Sequence, residues 1–299
     1  MQILKKIIVL NFLILGITIS FSQSTDLARL EYGIIPQSGS ENKFSRFRFL
    51  GNIPFKLNEK GTYLVIGTQY RYHNLEILDP VPFSDPDALD GLHTIGLELG
   101  YTYKMNERWR FGVKFGARIS SNFENSGIVA DDFRYTGSFY FIRSSDKSLL
   151  PIKSRLILGL QYTTPASITF PLPIVNYFRR FNQRWSYSIG TPKSNLKYFF
   201  NEKNTFQIYI SLDRFYPNIQ NNRIVTTGGV PRLAENISML NVISALGYEH
   251  YFTEHLLYYA YAGYTLLNRI RMRDGDQDDV IVLNNQNTFY LRSGIKIKI

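Results

Sequence analysis

Between Trp109 and Ile119 the side chains alternate without a break. Trp109, Phe111, Val113, Phe115, Ala117 and Ile119 are apolar, while Arg110, Gly112, Lys114, Gly116 and Arg118 are basic or lack a side chain. A period of two is the geometry of an extended strand, whose successive side chains point to opposite faces. The last residues repeat it, with Phe289, Leu291, Ile295, Ile297 and Ile299 on one face and Tyr290, Arg292, Gly294, Lys296 and Lys298 on the other. Strands with one greasy and one cationic wall fit a transmembrane barrel, which turns its apolar face to lipid and its polar face inward. A secreted β-sandwich or a soluble lipid-binding barrel also alternates.

The connections separate these alternatives. Alternation predicts twelve strands, near residues 27–34, 43–51, 62–73, 91–104, 107–120, 134–144, 152–163, 184–190, 204–214, 238–252, 255–270 and 286–299. Short links share a pattern of apolar residue, Asn or Thr, acid, base: Leu57-Asn58-Glu59-Lys60, Met105-Asn106-Glu107-Arg108, Phe200-Asn201-Glu202-Lys203 and Phe252-Thr253-Glu254-His255, with Ser145-Asp146-Lys147 a looser version. Such Asn residues bond their own backbone in turns. Between them run longer polar or Pro-bearing stretches near 74–90, 121–133, 164–183, 215–237 and 271–285, which hold Pro80, Pro82, Pro86, Pro165, Pro171, Pro173, Pro217 and Pro231. Tight turns on one side and long loops on the other describe an all-β, closed antiparallel transmembrane barrel, with both termini on the periplasmic side. Hydrocarbon offers no partner to an unpaired backbone group, so the first strand must pair with the last.

The opening segment agrees. Lys5 and Lys6 precede an apolar run from Ile7 to Ile19, and small residues follow at Ser20 and Ser22. The run is shorter than the ~20 residues of a membrane helix and has the order of a secretory signal. The expected division is a signal peptide over 1–22, cleaved before Gln23, and a barrel over 23–299 in a bacterial outer membrane. Losing both lysines takes the net charge from +10 to +8. No Lys/Arg run is clustered enough to suggest nucleic acid. Cys is absent, which removes disulfides, thiolate metal sites and a lipid-anchored Cys. The 22 Phe and 21 Tyr suit a barrel that displays aromatics to lipid and its interfaces.

Several stretches carry a family resemblance: Phe170-Pro171-Leu172-Pro173, Tyr177-Phe178-Arg179-Arg180-Phe181, Trp185-Ser186-Tyr187, Gly190-Thr191-Pro192-Lys193-Ser194-Asn195-Leu196-Lys197-Tyr198 and Phe200-Asn201-Glu202-Lys203. Together they resemble a family of exported β-barrel proteins of Bacteroidota, defined only as a domain of unknown function. The ending, Tyr290 to Ile299, looks like the terminal strand by which barrels are received by the assembly machinery, although an aromatic residue is usual where Ile299 stands. The resemblance implies a fold, a location, outer-membrane lipid and the assembly machinery as partners, and no catalytic residues.

With the apolar face outward, the interior receives Arg29, Arg46, Arg48, Arg71, Arg110, Lys114, Arg118, Arg155, Arg292 and Lys296 against Glu31, Glu98, Asp213 and Glu249. Ten bases and four acids make the interior electropositive, and basic linings favour anions. A narrow channel or binding barrel for anionic or polar solutes is one expectation; an interior packed shut by Arg–acid networks is the other. The segment Thr164–Arg184 is too apolar for an ordinary loop. Its Phe170, Leu172, Ile174, Phe178, Arg179 and Arg180 are candidates for a constriction folded into the lumen or a partner-docking loop, against self-packing on neighbouring loops.

No cofactor, metal site or enzymatic activity is expected. Asp274-Gly275-Asp276-Gln277-Asp278-Asp279 has Asp279 where a hand-type calcium loop needs Gly at its sixth position, and Asn285 where it needs an acid at its twelfth. No Gly-x-Ser-x-Gly or His-Glu-x-x-His occurs, and His73, His93, His250 and His255 sit at no metal-pair spacing. A hydrolase assembled from separate strands stays open as a minor alternative.

Overall fold

The computed structural model describes residues 26–145, 153–166, 168 and 170–298. The expected signal peptide, most of the Ser145-Asp146-Lys147 turn and Ile299 lie outside them. Among the described residues, sixteen strands form one sheet: β1 (Asp26–Ile34), β2 (Lys43–Asn58), β3 (Thr62–Glu76), β4 (Gly91–Lys104), β5 (Trp109–Ser121), β6 (Phe133–Ser144), β7 (Lys153–Thr164), β8 (Leu172–Arg180), β9 (Trp185–Gly190), β10 (Lys193–Phe199), β11 (Asn204–Phe215), β12 (Asn218–Thr227), β13 (Val230–Tyr251), β14 (Leu256–Arg273), β15 (Asp279–Asn284) and β16 (Phe289–Lys298).

Fourteen of them close into an antiparallel barrel, and β12 and β15 stand outside it. Each wall strand pairs with the next, and β1 pairs with both β2 and β16, from Asp26 opposite Lys298 to Ile34 opposite Leu291. The sheet has no continuous free edge, as lipid requires. The expected twelve strands therefore become fourteen in the wall. Those added are β8, inside the stretch read as a loop over 164–183, and β10. Leu172 to Arg180 pair with β7 on one side, and Asn176 to Arg180 with β9 on the other. The expected constriction or docking loop is barrel wall.

The Asn- and Thr-based tight turns lie at one end, and their chemistry repeats; the short link between Gly190 and Lys193 lies at the other. Asn106 Oδ1 accepts the N–H groups of Arg108 and Trp109, each at 3.0 Å. Asn201 does the same for Lys203 and Asn204 at 3.0 and 2.8 Å, and Thr253 Oγ1 for His255 and Leu256 at 3.2 and 3.0 Å. Asn182 makes a further copy at 2.8 Å to both Arg184 and Trp185, with Gln183 in place of the acid. One short polar side chain thus pairs two backbone donors where the strand ladder stops.

Outward side chains are apolar and bare. Leu97 and Phe115 are each 64 % exposed and Leu246 67 %, all away from strand ends. Aromatic residues edge this belt, with Trp109, Trp185, Phe200 and Phe252 towards the turn end and Tyr135, Tyr162, Tyr264 and Phe289 towards the loop end. Water does not tolerate a continuous apolar band of this extent; a bilayer does.

The long connections gather at the opposite end, where β13 and β14 extend well past their neighbours as strands of 22 and 18 residues. There β12 folds back on β13 and reaches across the mouth, with Asn218 opposite Ser121 of β5. Leu89, Leu92, Ile219, Ile237, Met239 and Met272 are fully buried beneath it and form an apolar cap. Asp132 holds the crossing by accepting from Asn218 at 2.9 Å and Gln220 at 2.8 Å. The mouth is thus closed over this sector by residues 215–227, while Leu172–Arg180 of the expected constriction stand in the wall.

Candidate functional site

The inward positions of the wall carry the charge. Arg46 and Arg48 of β2, Arg71 of β3, Glu98 of β4, Arg110, Lys114 and Arg118 of β5, Arg155 of β7, Asp213 of β11 and Arg292 of β16 all fall on the inner face, as alternation predicts. Leu172, Ile174, Phe178 and Arg180 take inner positions on β8, Arg179 faces outward, and Phe170 precedes the strand at 60 % exposure. Reading β10 as a connection hid Lys193 and Lys197, two further inward bases, and reading β8 as a loop left the candidate Arg180 without its place in the wall. The alternation of Lys193, Asn195 and Lys197 with Ser194, Leu196 and Tyr198 was the signal that could have revealed β10.

The acids organise three clusters. Glu31 lies 3.1 Å from Arg48, 3.8 Å from Arg46 and from Arg292, and 3.9 Å from Arg29, and it accepts the Tyr259 hydroxyl at 2.6 Å. Arg46 also ion-pairs with Asp213, and Arg48 lies 3.8 Å from the same carboxylate. Strands β2 and β11 are not neighbours in the wall, so this pair is a bar across the lumen. Above it the His73 ring stacks on Phe215 at 4.2 Å, which accounts for that buried histidine as packing. In the second cluster Glu98 takes Arg118 at 2.7 Å and Lys114 at 2.9 Å. In the third Glu249 takes Lys197 at 2.7 Å, Gln207 at 2.8 Å and the Tyr261 hydroxyl at 2.9 Å.

Every one of the four acids is thereby committed, and bases are left over. Among the described residues, Arg71 makes no hydrogen bond or ion pair. Lys193 has the Gln207 amide oxygen at 3.1 Å and the faces of Tyr209 at 4.0 Å and Tyr261 at 5.3 Å, and no ion pair among the described residues. Lys296 lies 4.5 Å from the centre of the Tyr259 ring. Arg110 donates to the Gly61 carbonyl at 2.8 Å. The Lys114 side chain is 38 % exposed, so the interior is not filled by side chains at mid-barrel.

The Asp274–Asp279 loop is tied by bases. Asp274 pairs with Arg232 at 2.6 Å, and Asp279 with Arg271 at 2.8 Å and Arg273 at 2.9 Å. Elsewhere at the loop end Asp79 accepts the Ser40 hydroxyl at 2.5 Å and the Glu41 N–H at 3.0 Å, and these bonds hold its carboxyl below the usual range. A depressed carboxyl stabilises the fold above its ordinary pKa and loses that contribution as pH falls through the lowered one. Amide protection at Glu41, corrected for intrinsic exchange, is expected to fall on acidification below the ordinary Asp range, and Asp79→Asn to abolish that dependence. Unchanged acid sensitivity in the variant would dissociate Asp79 from it.

A closed, even-stranded antiparallel barrel, with an apolar belt between aromatic girdles and a charged interior, is an outer-membrane β-barrel. No protein-family model matches the sequence, and no curated protein does. Solved structures share the architecture at low identity. An outer-membrane channel from Pseudomonas putida F1 has 10 % identity and a TM-score of 0.42, over 95 % of this chain and 98 % of that one. LpxR from Salmonella typhimurium has 6 % and 0.39, over 91 % and 100 %. The KdgM porin, solved in complex with disordered oligogalacturonate, has 8 % and 0.37, over 91 % and 99 %. At these values no role passes from them to this chain.

Proposed function

We propose that the protein is a non-enzymatic barrel of the bacterial outer membrane, with its termini periplasmic and its long loops outside, whose basic interior binds anionic or polar solutes. The surplus of inward cations carries this reading. Charge taken out of water is costly unless it is paired, and with these four acids engaged an entering anion is the counter-charge that the leftover bases lack. The motifs around Tyr177–Lys203 support a place in the exported barrel family of Bacteroidota named above. The alternative of an inert, packed-shut interior draws on the bar between Arg46 and Asp213, but among the described residues that bar leaves Arg71 and Lys193 without an ion-paired carboxylate.

Because the cap covers the mouth, the resting protein is expected to conduct weakly in planar bilayers. Loosening the crossing by Asn218→Ala with Gln220→Ala should raise an anion-selective current, and adding Arg110→Glu and Arg118→Glu should move the reversal potential towards cations. A cation-selective current in the cap variant, or no response to the charge reversals, would refute the basic-interior reading.

A further inference from the structure

The wall is not equally tall all round. Strands β9 and β10 have six and seven residues, fewer than the ~9–11 that a tilted strand needs to cross a bilayer. At about 3.3 Å per residue and 45° of tilt they rise roughly 15 Å, against an apolar band of about 25 Å. Their turn-end residues are level with their neighbours, so all the deficit lies at the loop end. Pairing of β8 with β9 stops at Asn176, after which Thr191 donates to the Val175 carbonyl at 2.9 Å. Pairing of β10 with β11 stops at Ser211, after which Leu212 donates to the Pro192 carbonyl at 3.0 Å. Above this hairpin, Leu172 to Ile174 and Asp213 to Phe215 have no strand on the facing side, among the described residues. Pro173, which has no N–H to leave unpaired, sits on that edge, and the Thr191 hydroxyl covers its carbonyl at 2.7 Å.

Such a notch at membrane depth is costly against hydrocarbon alone, because unpaired backbone survives there only beside protein, water or another polar group. Behind it lies the surplus charge. Lys193 opens β10 at the floor of the notch, and in a ring of fourteen strands β3, with Arg71, stands seven places from β10, directly opposite. With the mouth closed over the β12 sector, the notch is, among the described residues, a breach in the wall that faces the outer part of the belt.

We propose that this notch is a lateral port, through which an amphiphile with an anionic headgroup passes its head from the loop-end leaflet to Lys193 and Arg71 while its acyl chains stay in the bilayer. This rests on the interior being an anion site, and it adds the class of ligand and its route.

The test uses the full chain in nanodiscs of equal phosphatidylglycerol and phosphatidylcholine, with folding scored by heat-modifiable gel mobility. Native mass spectrometry should show phosphatidylglycerol retained over phosphatidylcholine by about tenfold, the change expected of one charge-assisted contact. Arg71→Gln with Lys193→Gln should return the ratio to that of the bilayer. Since the chain has no Cys, Ser211→Cys gives a second measurement with both cations intact. It should react with a membrane-confined long-chain alkyl maleimide, whereas Ser138→Cys, inward on β6 behind unbroken wall, should not. Equal retention of the two lipids, or Ser211→Cys no faster than Ser138→Cys, overturns the port. If inorganic phosphate still binds in an Arg71-dependent manner, the anion site stands and only the lateral route falls; if neither phosphate nor lipid binds, both fall.

Discussion

Replacing Glu31 by Ala is expected to destabilise the folded barrel by about 3–5 kcal/mol, the cost of removing one partner from a buried ion cluster. Four guanidinium groups, those of Arg29, Arg46, Arg48 and Arg292, converge on this carboxylate, which is itself almost wholly buried. Deleting it leaves four like charges converging on one place, with Asp26 on Arg29 and the shared Asp213 near Arg46 and Arg48 as the remaining acids. The site also lies at the seam, since Glu31 pairs with Gly294 of the last strand, so the repulsion acts where the barrel must close. The measurement is the temperature at which the heat-modified band shifts on a gel. Glu31→Gln keeps the shape and an acceptor for Tyr259 but loses the charge, and should be nearly as unstable. A wild-type transition in both variants would show that the cluster contributes nothing net.

The second large effect is expected on the other face. Leu97→Arg places a charge near the middle of the belt and should cost about 2–4 kcal/mol, whereas Leu57→Arg, at the turn end of β2, should cost about 0–1 kcal/mol. Both leucines are open, at 64 % and 54 % exposed, so burial within the protein cannot explain a difference. Only depth in a bilayer can. Equal folded fractions of the two variants in liposomes would remove the lipid-facing assignment of the belt.

Alternation read most of the wall correctly, because one face must be apolar and the other polar wherever a strand separates lipid from a charged interior. The turns were equally legible, since Asn106, Asn201 and Thr253 act through bonds to residues two and three positions on. β8 escaped because Leu172, Ile174 and Phe178 face inward while Val175 and Tyr177 face lipid, so both faces are apolar and no period shows. Its Pro173 looked like a breaker, yet the strand has a free edge at that place. β10 alternates, but over only seven residues. With these two strands unread, the wall was two strands short and Lys193 and Lys197 were lost from the interior.

The inner charge of each strand was therefore written in the local sequence, while its partners were not. Asp213 meets Arg46 from 167 residues away, across a lumen whose width follows from strand number and stagger. The crossing of β12 to Ser121, which caps the mouth, likewise joins distant parts of the chain. The basic interior was set by a period of two, which any single strand expresses. Whether that interior is barred, capped or breached at its side depends on which strands stand opposite and how tall each one is, and only closure of the ring decides this.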